Sequence, residues 1–196
     1  TSPSVCVFCS SSNAVGAAYH AAATQTGSQL ASAGFSLIYG GTRIGLMGAV
    51  ARAARDGGAS ITGIVPEHIR AHVPECEDPD ALIVTPDMRQ RKAQMEARAD
   101  AFLTLPGGFG TLEEVLEVLT LKQLGLHRKP IVFLNTQGFF DPLSALFEEL
   151  YRQRFARNEY RALYQFASTP NEAIGQIRDG LQAQATEADP PLTKWT

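Results

Sequence analysis

The sequence predicts an α/β fold, an open, doubly wound, mostly parallel sheet with helices on both faces. Three observations carry that prediction. Short apolar runs alternate with longer segments of helical period along the 196 residues. The runs are apolar at successive positions rather than at every second one, which marks strands buried on both faces. Glycine-rich turns stand where a strand hands over to a helix. No internal repeat and no linker interrupts the pattern. The chain therefore reads as one domain, residues 1–196, with 185–196 as a loose C-terminal tail.

Residues 4–9 are the first expected strand, and Ser10-Ser11-Ser12-Asn13 is a polar turn with several donors. An alanine-rich helix follows over 17–33, stopped by Gly34. Residues 35–39 make the second strand. The turn Gly40-Gly41-Thr42-Arg43-Ile44-Gly45-Leu46-Met47-Gly48 leads into a helix that ends near Asp56. The third strand is 60–65. Residues 66–80 hold three prolines and the acids Glu75, Glu77, Asp78 and Asp80, so a loop with one short helix is expected. After a fourth strand over 81–85, Thr85-Pro86-Asp87 opens a helix with Thr85 as N-cap and Pro86 at N1. That helix carries Met88, Arg91, Lys92 and Met95, the methionines as core filling. A fifth strand, 101–105, enters a glycine turn, and Leu112, Val115, Leu116 and Leu119 mark the helix behind it. The remaining elements are a strand over 130–135, a helix ending near Phe155, a short strand over 164–167 and a last helix over 171–181.

A formal net charge of −3 excludes a general polyanion surface, so no nucleic-acid partner is expected. No long apolar span and no leader-like N-terminus is present, which points to a cytoplasmic protein without a membrane partner. Cys6 and Cys9 form a C-x-x-C, but on a strand residues three apart face opposite ways, so a redox pair is not expected. His68 and His72 are four apart without a glutamate between them in zincin position, so no metal site is expected.

The turn Pro106-Gly107-Gly108-Phe109-Gly110-Thr111-Leu112-Glu113-Glu114 organises the rest. Gly107, Gly108 and Gly110 permit φ > 0 and close approach to a ligand. The helix start adds unpaired N–H groups and the positive end of a dipole, which suits phosphate. The loop is not a Walker A, because Thr111 and Leu112 stand where a lysine would follow. Nor does its spacing fit the dinucleotide fingerprint. Glu114 has two readings. Thr111-x-x-Glu114 fits a capping box, which spacing alone slightly favours; the alternative is a free carboxylate just past a phosphate loop.

These residues resemble the PGGxGTxxE signature of the LOG (Lonely Guy) cytokinin-activating proteins, once widely labelled lysine decarboxylases. The likeness extends to Met88-x-x-Arg91-Lys92, to the turn from Gly40 to Gly48 and to Gln123-Leu124-Gly125-Leu126-His127. It implies a Rossmann-like phosphoribohydrolase that cleaves the N-glycosidic bond of N6-modified adenosine 5′-monophosphates, without cofactor, as a homodimer or higher homo-oligomer. The resemblance assigns the catalytic pair to Arg91 and Glu114. It assigns phosphate binding to Gly107, Gly108, Phe109, Gly110 and Thr111, and further substrate contacts to Gly40, Gly41, Lys92, Glu113 and Thr120. Where the family commonly has a ribose-holding glutamate, this sequence has His72 and Val73, so His72 or Glu75 would take its place. No lysine stands in a recognisable pyridoxal phosphate context, so the decarboxylase label has no chemical support.

Glycosidic hydrolysis passes through an oxocarbenium-like state, which a carboxylate stabilises while activating water. Without the resemblance, Arg91 reads as a surface ion pair and Lys92 as solvated or structural. Two rivals use the same loop: a non-catalytic nucleotide or cofactor carrier, which does not need Arg91 and Glu114 together, and a hydrolase of unmodified AMP.

Overall fold

The computed structural model describes residues 2–70 and 82–186. In chain order the elements are β1 (Ser4–Phe8), α1 (Ala17–Ser32), β2 (Ser36–Tyr39), α2 (Gly45–Asp56), β3 (Ile61–Pro66), α3 (Glu67–Arg70) and β4 (Leu82–Thr85). They continue with α4 (Met88–Arg98), β5 (Ala101–Thr104), α5 (Phe109–Gln123), β6 (Ile131–Leu134), α6 (Asp141–Arg152), β7 (Gln165–Ala167) and α7 (Pro170–Thr186). The strands form one seven-stranded sheet in the order β4-β3-β2-β1-β5-β6-β7, each neighbouring pair parallel. This is the doubly wound, Rossmann-like architecture that the alternating pattern predicts.

Both faces of the sheet are covered. α1, α2 and α7 pack over Val5, Val7, Leu37, Leu103 and Leu134. α4, α5 and α6 pack over Cys6, Phe8, Ile38, Ile64, Phe102 and Phe133. Burial on both sides explains the unbroken apolar runs. Cys6 and Cys9 are free and buried in opposite layers, as strand geometry requires, although β1 itself ends at Phe8.

The chain runs outward from β1 to β4, then resumes at β5 on the other side of β1. The loops after β1 and β5 therefore diverge, and their carboxyl ends form the topological switch point where open α/β sheets bind ligands. Two bonds carry the β1–β5 pairing past the strands into these loops: Leu105 N–H donates to the Phe8 carbonyl at 2.9 Å, and Ser10 N–H to the Pro106 carbonyl at 3.2 Å.

The start of α4 and the end of α7 differ from the sequence reading. The N-cap of α4 is Asp87, whose carboxylate accepts from Gln90 N–H at 2.8 Å. Thr85 closes β4 instead, two residues too early to reach the helix, and donates its hydroxyl to the Asp87 carbonyl. Pro86 thus lies outside the helix. α7 runs on to Thr186, because Gln182, Ala183, Gln184 and Ala185 are good helix formers, so the expected tail begins as helix. Its remainder, 187–196, lies outside the described residues. So do His72, Val73 and Glu75, while α3 is the short helix expected in that stretch.

Candidate active site

The glycine loop enters α5 directly. Gly108 holds the N-cap position with φ −90° and ψ −156° and no side-chain cap. The capping box does not form: Thr111 is already the third helical residue, and Glu114 points inward to Arg91. The long-range partner outcompetes the local one because a buried carboxylate needs a counter-charge. Gly107, Gly108 and Gly110 are absent from the glycines with positive φ, so the expected left-handed backbone is not used. Space is the reason at Gly107, where a Cβ would lie 2.1 Å from Thr111 Oγ1. At Gly108 and Gly110 a Cβ would meet nothing within 4 Å, which leaves the helix start open.

Positive φ occurs instead in the second glycine turn, at Gly41 (+79°) and Gly45 (+59°). Gly45 N–H donates to Asn13 Oδ1 at 2.8 Å, and the Ser10 carbonyl accepts from Leu46 and Met47 N–H at 3.0 and 3.2 Å. A Cβ at Gly45 would strike the Ser11 carbonyl carbon at 2.4 Å. The serine turn after β1 is thereby bound to the start of α2 on one side and to the Pro106 carbonyl on the other.

Arg91 and Glu114 meet beneath this edge, 5% and 7% exposed. Arg91 Nη1 donates to Glu114 Oε1, and its Nε donates to the Ile64 carbonyl of β3 at 3.0 Å. Its Nη2 lies across Gly40, where a Cβ would come within 2.5 Å. The surface ion-pair alternative for Arg91 is thereby excluded. Burial pushes the Glu114 carboxyl above the ordinary glutamate range, against the pull of the Arg91 guanidinium. Charge on Glu113 pushes it the same way as burial, and Lys92 opposes.

The other residues singled out in the sequence fall in three places. Phe109 is 93% exposed at the first position of α5, beside the loop. Of the two readings for Lys92, solvated or structural, the ion pairs favour the structural one: its ammonium bonds Glu113 and lies 2.8 Å from Glu117 Oε2. Thr120 is exposed further along α5 and donates to the Leu116 carbonyl, so the fold does not bring it to the loop. Among the described residues, no group of three or more His, Cys, Asp or Glu side chains could hold a metal ion. No helix among them is long and apolar enough to cross a membrane.

Sequence reasoning missed Thr104. It is fully buried, and its hydroxyl has no hydrogen-bond partner. Strand alternation with Phe102 turns it toward the α4–α5 side, the side of Arg91 and Glu114. A threonine inside an otherwise apolar run just ahead of a glycine loop was the signal available.

Comparison with known proteins gives a family. A family model described as "Possible lysine decarboxylase" matches residues 47–177. A cytokinin riboside 5′-monophosphate phosphoribohydrolase of Arabidopsis thaliana is 41% identical over 167 residues, covering 85% of this chain and 78% of that protein. One from Oryza sativa subsp. japonica is 38% identical over 175 residues, covering 89% and 72%. Among solved structures, the molybdenum cofactor binding protein of Rippkaea orientalis superposes with a TM-score of 0.70 at 24% identity, covering 91% of this chain and 97% of that one. The molybdenum cofactor carrier protein of Chlamydomonas reinhardtii does so with 0.70 at 22%, covering 93% and 99%. These two likenesses establish the shared fold.

Proposed function

The chain belongs to the LOG family, and on that premise we propose that it is a cytokinin riboside 5′-monophosphate phosphoribohydrolase. It hydrolyses the bond between C1′ of ribose 5-phosphate and N9 of an N6-modified adenine. Water adds to C1′ and the base leaves, taking a proton at N9; the products are free base and ribose 5-phosphate.

The observation that carries the catalytic assignment is the buried Arg91–Glu114 pair, one turn into the helix that the glycine loop opens. In this reading Glu114 accepts the proton of the attacking water and its charge steadies the oxocarbenium-like ribose. Arg91 keeps Glu114 aligned, held in turn by Ile64 and by the space over Gly40. The open start of α5 takes the 5′-phosphate through backbone N–H groups, with Gly107 packed on Thr111 to shape the cradle. Phosphate binding orients the ribose from a distance, so binding energy is spent on the reacting centre.

The protein acts as a homodimer in this reading. Phe109, Leu116, Leu124 and Leu126 leave apolar surface along and just beyond α5, which a second copy would cover. A cytoplasmic setting suits the unpaired Cys6 and Cys9.

The test is to incubate the protein with isopentenyl-AMP and with AMP in parallel and to measure both base and ribose 5-phosphate. Release of both products, faster from isopentenyl-AMP, supports the proposal. Binding without release would indicate a carrier, and faster release from AMP would indicate an AMP hydrolase.

A further inference from the structure

Two consecutive cations on α4 meet three carboxylates on α5. Arg91 takes Glu114 on the buried side. Lys92, with its side chain 18% exposed, takes Glu113 and Glu117 on the outer side. Glu113 and Glu117 are one helical turn apart, so a single ammonium between them grips the second and third turns of α5. Those turns contain Glu114 and follow the glycine loop. Arg91 is anchored to the sheet through Ile64, whereas Lys92 pairs, among the described residues, with Glu113 and Glu117 of the helix that carries its neighbour's partner. Hydrogen bonds that the Lys92 ammonium donates to both glutamates push it above the ordinary lysine range, so it stays charged there.

We propose that Lys92 is a positioning residue: it bridges Glu113 and Glu117, sets α5 against α4 and thereby holds Glu114 on Arg91, and it does not bind the substrate. The inference rests on the catalytic reading of Arg91 and Glu114 above. It has an electrostatic corollary. The groups facing Glu114 are Arg91 and Lys92 from α4, Glu113 from its own helix, and the thiols of Cys6 and Cys9 from β1 and its end. Burial pushes both thiols up, so they stay neutral. Glu113 raises the Glu114 carboxyl and Lys92 lowers it. Removing either therefore moves Glu114 in opposite directions.

The experiment uses Lys92→Met, Lys92→Arg, Glu113→Gln and the double variant Lys92→Met/Glu113→Gln. It reads kcat, KM and the acid limb of kcat/KM with isopentenyl-AMP, together with Tm. Lys92→Met should lower kcat roughly tenfold, with KM within about twofold, since misplacing a catalytic group costs turnover. Its acid limb should move to higher pH, that of Glu113→Gln to lower pH, and the double variant should return toward wild type. Lys92→Arg, which can keep both bridges, should retain most activity. A tenfold rise in KM at unchanged kcat in Lys92→Met would make Lys92 a substrate ligand and overturn the inference. A kcat within about twofold of wild type and an unmoved limb would overturn it too, whether or not Tm falls. Wild-type turnover in Glu114→Gln would instead show that the catalytic reading itself is wrong.

Discussion

Gly40 and Arg91 occupy adjoining space with no room for a methyl group between them: a Cβ on Gly40 would lie 2.5 Å from Arg91 Nη2. Gly40 is not among the residues with positive φ, so its requirement is room rather than backbone freedom. The glycine turn after β2 is thus a wall of the Arg91–Glu114 pair. Gly40→Ala should push the guanidinium off its line to Glu114 and lower kcat/KM about 10- to 100-fold. The atoms displaced, Arg91 Nη2 and Met47 Sδ at 2.8 Å, belong to the ends of long side chains, so Tm should move by only a few degrees. Steady-state kinetics and a thermal melt on the same preparation check both halves.

Arg91→Lys keeps the charge and loses the fork. One ammonium cannot serve the Ile64 carbonyl and Glu114 as two guanidinium nitrogens do. A loss of kcat/KM of about 100-fold or more is expected. A loss no greater than that in Lys92→Arg would contradict the assignment.

Glu114→Gln keeps the acceptor for Arg91 and removes the negative charge. Turnover should fall about 10²–10⁴-fold. The folded-state shift of Glu114 is upward, so its contribution to stability is complete below the unfolded value and is lost as pH rises through the folded one. At neutral pH the variant sheds the burial cost of the carboxylate but leaves the buried Arg91 guanidinium without its counter-charge, so its melting temperature should stay within a few degrees of wild type. In the proposed mechanism activity needs the carboxylate, so the wild-type acid limb should fall above the ordinary glutamate value of 4.5. Kinetics from pH 4 to 8 read this limb.

His127 offers a pH test away from the site. Its Nε2–H donates to the Val118 carbonyl at 2.8 Å, and its Nδ1 accepts from Lys129 N–H at 3.2 Å, which requires the neutral ring. Burial lowers its pKa below the ordinary 6.5. Stability from this group is present above 6.5 and is lost as pH falls through the lowered value. His127→Gln should lower Tm at pH 8 and flatten the decline of Tm with acid relative to wild type. Parallel curves for the two proteins would contradict the assignment.

The sheet was legible because each strand is buried on both faces and so reads as an unbroken apolar run, as in Ala101 to Leu105. The carboxyl edge followed from the placement of both glycine turns after strands. The contacts of Arg91 and Glu114 were harder to read. Glu114 fits a capping box by spacing, and only the tertiary approach of Arg91 decides against it. Arg91's other partner is the Ile64 carbonyl, and a backbone acceptor leaves no trace in the sequence. At Gly107 the expected positive φ is not used, and packing against Thr111 is what excludes a side chain there. Lys92 was invisible as a bridge because its partners lie 21 and 25 residues away on another helix.

The central claim is that the glycine loop recognises a 5′-monophosphate and that this binding drives cleavage of the glycosidic bond. The most direct measurement is free base released from isopentenyl-AMP and from isopentenyladenosine at equal concentration, without added metal. A loop built to bond phosphate is left with unpaired donors by the nucleoside, and such sites reject the incomplete analogue by roughly 10⁴-fold. The account predicts rapid release from the monophosphate and almost none from the nucleoside. Comparable release from both would contradict it.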